Sequence, residues 1–157
     1  MVLLLKNLVF TVVVPGTVAV VVPWWIAGAR PAATGPARLA AALVLALGAA
    51  IYAWCVWDFA RFGRGTPAPI DAPRRLVVRG LYRVMRNPMY VGVVTTILGW
   101  ALWLGAPALV AYAAVVASAF HTFVVAYEEP ALRDAFGTEY ASYCARVPRW
   151  LPRLRPA

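Results

Sequence analysis

The residues best suited to chemistry form two small groups and one isolated side chain. Arg86-Asn87-Pro88 opens a long uncharged stretch, and Glu128-Glu129-Pro130 closes it. Pro88 fits the first turn of a helix, with Asn87 as its N-cap. The free N–H groups of that turn, together with the Arg86 guanidinium, form a site for a carboxylate or phosphate. Glu128 and Glu129 repel each other and, at a helix C-terminus, oppose the helix dipole, so something positive must answer them. Arg133, four residues after Glu129, is the local partner; arginines from the 59–87 loop and a cationic ligand are the others. His121 lies seven residues before Glu128, two turns up the same helical face. An ionisable group inside an apolar helix is a functional candidate, or a satisfied donor to neighbouring backbone. One histidine without a His/Cys cluster argues against a metal centre. There is no Gly-rich phosphate loop, Ser-His-Asp set or Cys-His pair.

The elements that must position these groups follow from composition. Hydrophobic residues make up 63% of the 157 residues and charged residues 13%, against about 45–50% and 25% in soluble domains. A water-soluble fold of this size cannot hide that much apolar surface. Disorder is excluded on the same ground, and a secreted disulfide scaffold by the presence of only Cys55 and Cys144. The net charge of +9 is distributed between apolar runs, which points to a membrane protein with cationic loops and away from nucleic acid.

Charge-free runs cover residues 7–29, 39–57 and 87–127. The last is long enough for two spans and is broken by Gly105-Ala106-Pro107. The expectation is an all-α integral membrane protein, one domain with four transmembrane helices over residues 7–27, 38–58, 88–104 and 108–128. The runs lack barrel alternation. Lys6, the following apolar stretch and Ala27-Gly28-Ala29 imitate a signal peptide, but the stretch is longer than a signal core and ends in an interfacial Trp24-Trp25 pair, so a retained helix is expected. Pro15 and Pro23 should kink it. Thirteen of the 15 basic residues fall on the side of the N-terminus, the 59–87 loop and the tail; only Arg30 and Arg38 fall on the other. The positive-inside rule then places both termini in the cytoplasm. All six acids share that side.

The 59–87 loop is rich in proline and arginine and reads as extended and turn-rich, or simply as a positive stop to translocation. In the tail, 130–157, Leu132, Phe136, Tyr140, Tyr143 and Val147 recur near helical spacing. Gly137-Thr138 should split it into two short amphipathic interfacial helices, Thr138 capping the second. Trp150, between Arg149 and Arg153, is expected at the headgroup level, where the tail forms a lid over the loop.

Gly80-Leu81-Tyr82-Arg83 followed by Arg86-Asn87-Pro88-Met89-Tyr90-Val91-Gly92 resembles a signature of the isoprenylcysteine carboxyl methyltransferase and phospholipid methyltransferase superfamily. Glu128-Glu129-Pro130-x-Leu132, Phe136-Gly137-x-x-Tyr140-x-x-Tyr143 and Val147-Pro148-Arg149 resemble its C-terminal signature. The resemblance covers about residues 60–153. It implies a membrane enzyme using S-adenosylmethionine, bound between the start of the third helix and the Glu-Glu segment. By that resemblance Arg86, Pro88, Tyr90, Glu128, Glu129, Tyr140 and Arg149 are cofactor-binding candidates and Arg86 and Asn87 candidates for catalysis; His121 joins the latter only as an ionisable group within an apolar span. Asn87 stands where many members have histidine, so an acid–base role does not carry over. The implied partners are membrane lipids and a lipophilic or small carboxylate, thiol or amine acceptor. The competing readings are a non-catalytic membrane scaffold or sensor and a reductase of the sterol-reductase type.

Overall fold

The computed structural model describes residues 13–59, 61 and 76–153. Residues 7–12 of the first expected span, the proline-rich stretch 62–75 and residues 154–157 lie outside them. Among the described residues every regular element is helical. α1 is Val13–Ala27, α2 Gly35–Asp58, α3 Pro88–Trp103, α4 Pro107–Phe123 and α5 Glu129–Arg146, with a 3-10 turn at Gly80–Arg83. α2 and the continuous run Pro107–Arg146 are long and apolar enough to cross a membrane, whereas α1 and α3 are shorter apolar helices. Their outer faces carry Leu39, Leu43, Leu47, Leu102, Val110 and Val115 exposed, a surface suited to lipid rather than water.

α2 and α3 pack with almost no side chain between them. A Cβ on Gly48 would stand 2.7 Å from the Thr96 amide nitrogen and 2.9 Å from Gly92 O. One on Gly99 would stand 2.9 Å from the Leu45 amide. Small residues let helix backbones approach in lipid, where dispersion replaces the hydrophobic effect as the driving force. Ala41, Gly48 and Cys55 are buried at seven-residue intervals, which keeps one face of α2 on this seam. α1 completes the bundle through Ala19, packed with Val93, Ile97, Ala113 and Val116.

Two π turns absorb two prolines. Thr17–Val21 precedes Pro23, and Val124–Glu128 precedes Pro130. A proline lacks the N–H that the preceding turn would use, and the wider turn redistributes the carbonyls. The Val18 carbonyl so released accepts a hydrogen bond from Tyr112 Oη at 3.0 Å. The expected kink at Pro23 thus takes the form of a π turn.

The α3–α4 connection is a Schellman turn. Gly105 has φ +54°, and the Ala106 N–H reaches Ala101 O at 3.0 Å. Pro107 then starts α4. Arg30 donates to Gly105 O at 3.3 Å, and the Arg38 guanidinium lies 5.1 Å from the Trp103 ring centroid.

One expectation needs correction. The fourth helix does not end at Glu128. It continues through the π turn into α5, and the helical dihedrals break only at Gly137, with φ +50° and ψ −120°. Pro130 fits because the wider π turn before it takes the place of the α-helical bond that its missing N–H cannot make. The acidic doublet therefore does not oppose a helix C-terminus, and another interaction must explain it.

Candidate functional site

The positively charged answer to the doublet is supplied by the chain itself. Glu129 is 3% exposed. Arg149 forks onto it, Nε to Oε1 at 2.6 Å and Nη2 to Oε2 at 3.0 Å. Arg86 Nη1 adds a bond to Oε1 at 3.0 Å, and Arg133 Nη2 lies 3.5 Å from Oε2. Three guanidiniums keep this buried carboxylate charged, which is the arrangement that makes burial of an ion tolerable. The hydrogen bond to Glu129 in turn pushes the Arg149 pKa up.

Backbone straps fasten the same place. The Arg86 N–H donates to Pro148 O at 2.9 Å, and the Arg153 N–H to Val84 O at 2.9 Å. Tyr143 Oη donates to Tyr82 O at 2.7 Å. Below them Tyr140, Tyr143 and Val147 form a buried cluster with Leu76 and Val78 packed against it. The apolar spacing read in the tail is therefore a packing stripe, and it covers the end of the 59–87 loop. Tyr140 belongs to this cluster.

Asn87 occupies the N-cap position of α3 but makes no side-chain capping bond. Its Nδ2 donates to Arg149 O at 3.2 Å. The amide thus holds the arginine that forks Glu129, a role that needs a donor and no titrating group. Pro88 is fully buried at the first turn of α3.

Glu128 behaves differently from its neighbour. Successive helical residues point about 100° apart, so Glu128 turns toward α3, where Tyr90 Oη donates to its Oε1 at 2.6 Å. The Tyr90 ring packs tilted against Phe120, centroids 4.5 Å apart, and stands 6.5 Å from Trp150. Beside it a cavity of about 300 Å³ opens between α3 and α4, lined by Tyr90, Val94, Thr95, Phe120, His121 and Trp150 among others. His121 is thus on the wall of this cavity, and its Nδ1 accepts a hydrogen bond from Trp150 Nε1 at 3.1 Å. Tyr90 joins the two zones, its hydroxyl on the acid and its ring on the cavity.

The structure brings together Arg86, Asn87, Pro88, Tyr90, Glu128, Glu129, Arg149 and His121. Three contributors escaped sequence reasoning. Cys144 Sγ accepts from Arg86 Nη1 at 2.9 Å. Trp150 turns inward onto Tyr90 and His121 as well as neighbouring the basic tail. Asp58, 5% exposed, explains the first glycine of the 80–83 motif. Gly80 has φ +51°, and a Cβ there would run into Asp58 Oδ2 and, at 2.7 Å, Trp54 Nε1. Nothing in the spacing of Asp58 or Trp150 signals these contacts. An acid closing the uncharged run 39–57 is the one sequence sign for Asp58.

Residues 37–139, more than half of the chain, match the family described as phospholipid methyltransferase. The chain belongs to this family. It is 36% identical over 78 residues to protein-S-isoprenylcysteine O-methyltransferase B of Arabidopsis thaliana, covering 50% of this chain and 40% of the relative. It is 35% identical over 78 residues to a probable protein-S-isoprenylcysteine O-methyltransferase of Oryza sativa subsp. indica, covering 50% of this chain and 41% of the relative. A 63-residue match at 35% identity covers 40% of this chain and 100% of an uncharacterized protein of Haemophilus influenzae. The chain spans about two fifths of the length of the plant relatives it matches. No solved structure matches it. The family match and the two long apolar helices together mark this as a membrane protein of that family.

Proposed function

We propose that the chain is a membrane methyltransferase that uses S-adenosylmethionine and methylates a lipophilic acceptor at the cytoplasmic face. The observation that carries this reading is the pairing of Glu128 with Tyr90 at the edge of an aromatic-walled cavity, beside the Arg86–Glu129–Arg149 cluster. The cofactor bears an ammonium, a sulfonium, a carboxylate and a ribose diol. Glu129 is already committed to arginines, which leaves Glu128 for the ammonium or the diol. The first turn of α3 carries no side-chain cap, and its free N–H groups beside the Arg86 guanidinium suit the carboxylate. The faces of Tyr90, Phe120 and Trp150 suit a sulfonium. When bound, the cofactor supplies an electrophilic methyl group.

The protein's own contribution is positioning and electrostatics. The Glu129 cluster holds the start of α3 against the 147–153 segment, Glu128 and Tyr90 fix the cationic end, and the apolar cavity excludes water. An acceptor arriving as a carboxylate or thiolate needs no base; an amine must arrive neutral. The names of the plant relatives favour a prenylated cysteine carboxylate.

The same reading takes α1 to α4 as four spans and α5 as lying at the surface, with both termini cytoplasmic. Arg38 on Trp103 and Arg61 on Trp57 mark opposite ends of α2. Arg38 and Trp57 are separated by 19 residues, about 29 Å of helix, close to a hydrocarbon core of about 30 Å.

The test is equilibrium binding and transfer. Purified protein in detergent is incubated with labelled S-adenosylmethionine, with and without a prenylated cysteine carrying a free carboxylate. Saturable binding and a labelled methyl ester are expected. Absence of cofactor binding by folded protein would reject the enzyme in favour of a scaffold; binding without transfer to this acceptor would reject the carboxylate and leave thiols and amines.

A further inference from the structure

The hydrogen bond between Trp150 and His121 fixes more than a ring position. An indole nitrogen only donates. Trp150 Nε1 lies 3.1 Å from His121 Nδ1, so that Nδ1 must present its lone pair. A neutral imidazole then carries its proton on Nε2.

Trp150 is held on both sides. Arg149 before it forks Glu129 and receives Asn87 Nδ2 on its carbonyl. Arg153 after it donates its N–H to Val84 O. The indole also packs 6.5 Å from the Tyr90 ring. His121 and Trp150 both line the cavity between α3 and α4. The remaining lining side chains named for that cavity are apolar, apart from Thr95 and a Tyr90 whose hydroxyl is spent on Glu128.

We infer that Trp150 is a positioning residue that sets His121 in its Nε2–H form, so that the imidazole serves the cavity as a hydrogen-bond donor and not as a proton acceptor. The atom it meets on the ligand must carry a lone pair or a negative charge, as a carboxylate or thiolate acceptor does. That the ligand is a methyl acceptor rests on the function proposed above; the tautomer stands on the hydrogen bond alone.

The chain has one histidine, so ¹⁵N-histidine labelling with a histidine-free tag gives a single imidazole to observe. Long-range ¹H–¹⁵N spectra are recorded in detergent micelles near pH 8, above the ordinary imidazole pKa of about 6.5. The expected wild-type pattern is protonated Nε2 and bare Nδ1, with W150F moving population to the other tautomer. A protonated Nδ1 in the wild type, or an unchanged tautomer ratio in W150F, overturns the inference.

A kinetic comparison addresses the donor role. H121A should lose about tenfold to a hundredfold in kcat/KM, the worth of a hydrogen bond to a charged group. H121Q should recover most of that loss, because the amide keeps an N–H but cannot take up a proton. Equal loss in both variants assigns a base and overturns the donor. A wild type that transfers no methyl rejects the proposed function, while the spectra still decide the tautomer.

Discussion

Arg149 grips both carboxylate oxygens of Glu129, Nε at 2.6 Å and Nη2 at 3.0 Å, from a segment 20 residues further along the chain. The fork ties the 147–153 segment to the helix that continues α4, and Arg86 brings the start of α3 to the same carboxylate. One buried anion thus holds three pieces of chain in register.

Removing that anion leaves three guanidiniums facing one another. Glu129→Ala should cost about 3–5 kcal/mol, the usual result of breaking a buried ion pair from one side. The measurement is thermal or denaturant unfolding in detergent. Arg149→Lys should cost less but measurably, because a point charge cannot fork. Wild-type stability in Glu129→Ala would contradict the anchoring role.

Glu128→Gln should leave the fold intact and weaken cofactor binding about tenfold or more, since a charge-assisted contact to the ammonium or diol is lost. Tyr90→Phe removes only the hydroxyl that orients Glu128 and should have the smaller effect. Titration with S-adenosylmethionine and with its demethylated product checks both. Unchanged affinity in Glu128→Gln removes this residue from the site.

Gly48→Leu and Gly92→Leu should each destabilise the bundle by more than the about 1–3 kcal/mol of ordinary overpacking. In both cases the inserted carbon meets backbone, Thr96 N and Gly92 O in one case and Tyr52 N in the other. Melting of the detergent-solubilised variants reports this. Wild-type melting in both would mean that α2 and α3 are not in backbone contact.

Gly80→Ala combines a left-handed backbone with a collision against Asp58 and Trp54. The backbone component alone is about 1–2 kcal/mol. Adding Asp58→Ala should relieve part of the loss and leave that component. Additive melting shifts in the double variant would show that the two residues do not touch.

The proposed topology predicts opposite accessibilities. With Cys55 and Cys144 replaced by serine, a cysteine at Arg30 should react with a membrane-impermeant maleimide from outside intact cells. One at Arg83 should react only after lysis. The reverse pattern would invert the orientation.

The amino-acid order by itself determined the apolar helices, their proline and glycine punctuation and the two signature segments, because these depend on local periodicity and on how backbone groups must be satisfied in lipid. It also placed Arg133 beside Glu129, a pair fixed by helical spacing. It did not show that the helix runs on past Pro130, since the π turn that absorbs this proline depends on the carbonyls around it. The division of the doublet was equally hidden. Glu128 and Glu129 are chemically identical, and only the packing of α3 and of residues 147–153 gives one a tyrosine and adds Arg86 and Arg149 to the Arg133 that spacing gives the other. Asp58 against Gly80 and Trp150 against His121 belong to the same class. Such contacts join residues far apart in the chain, and it is the tertiary fold, not local sequence chemistry, that sets which side chains meet.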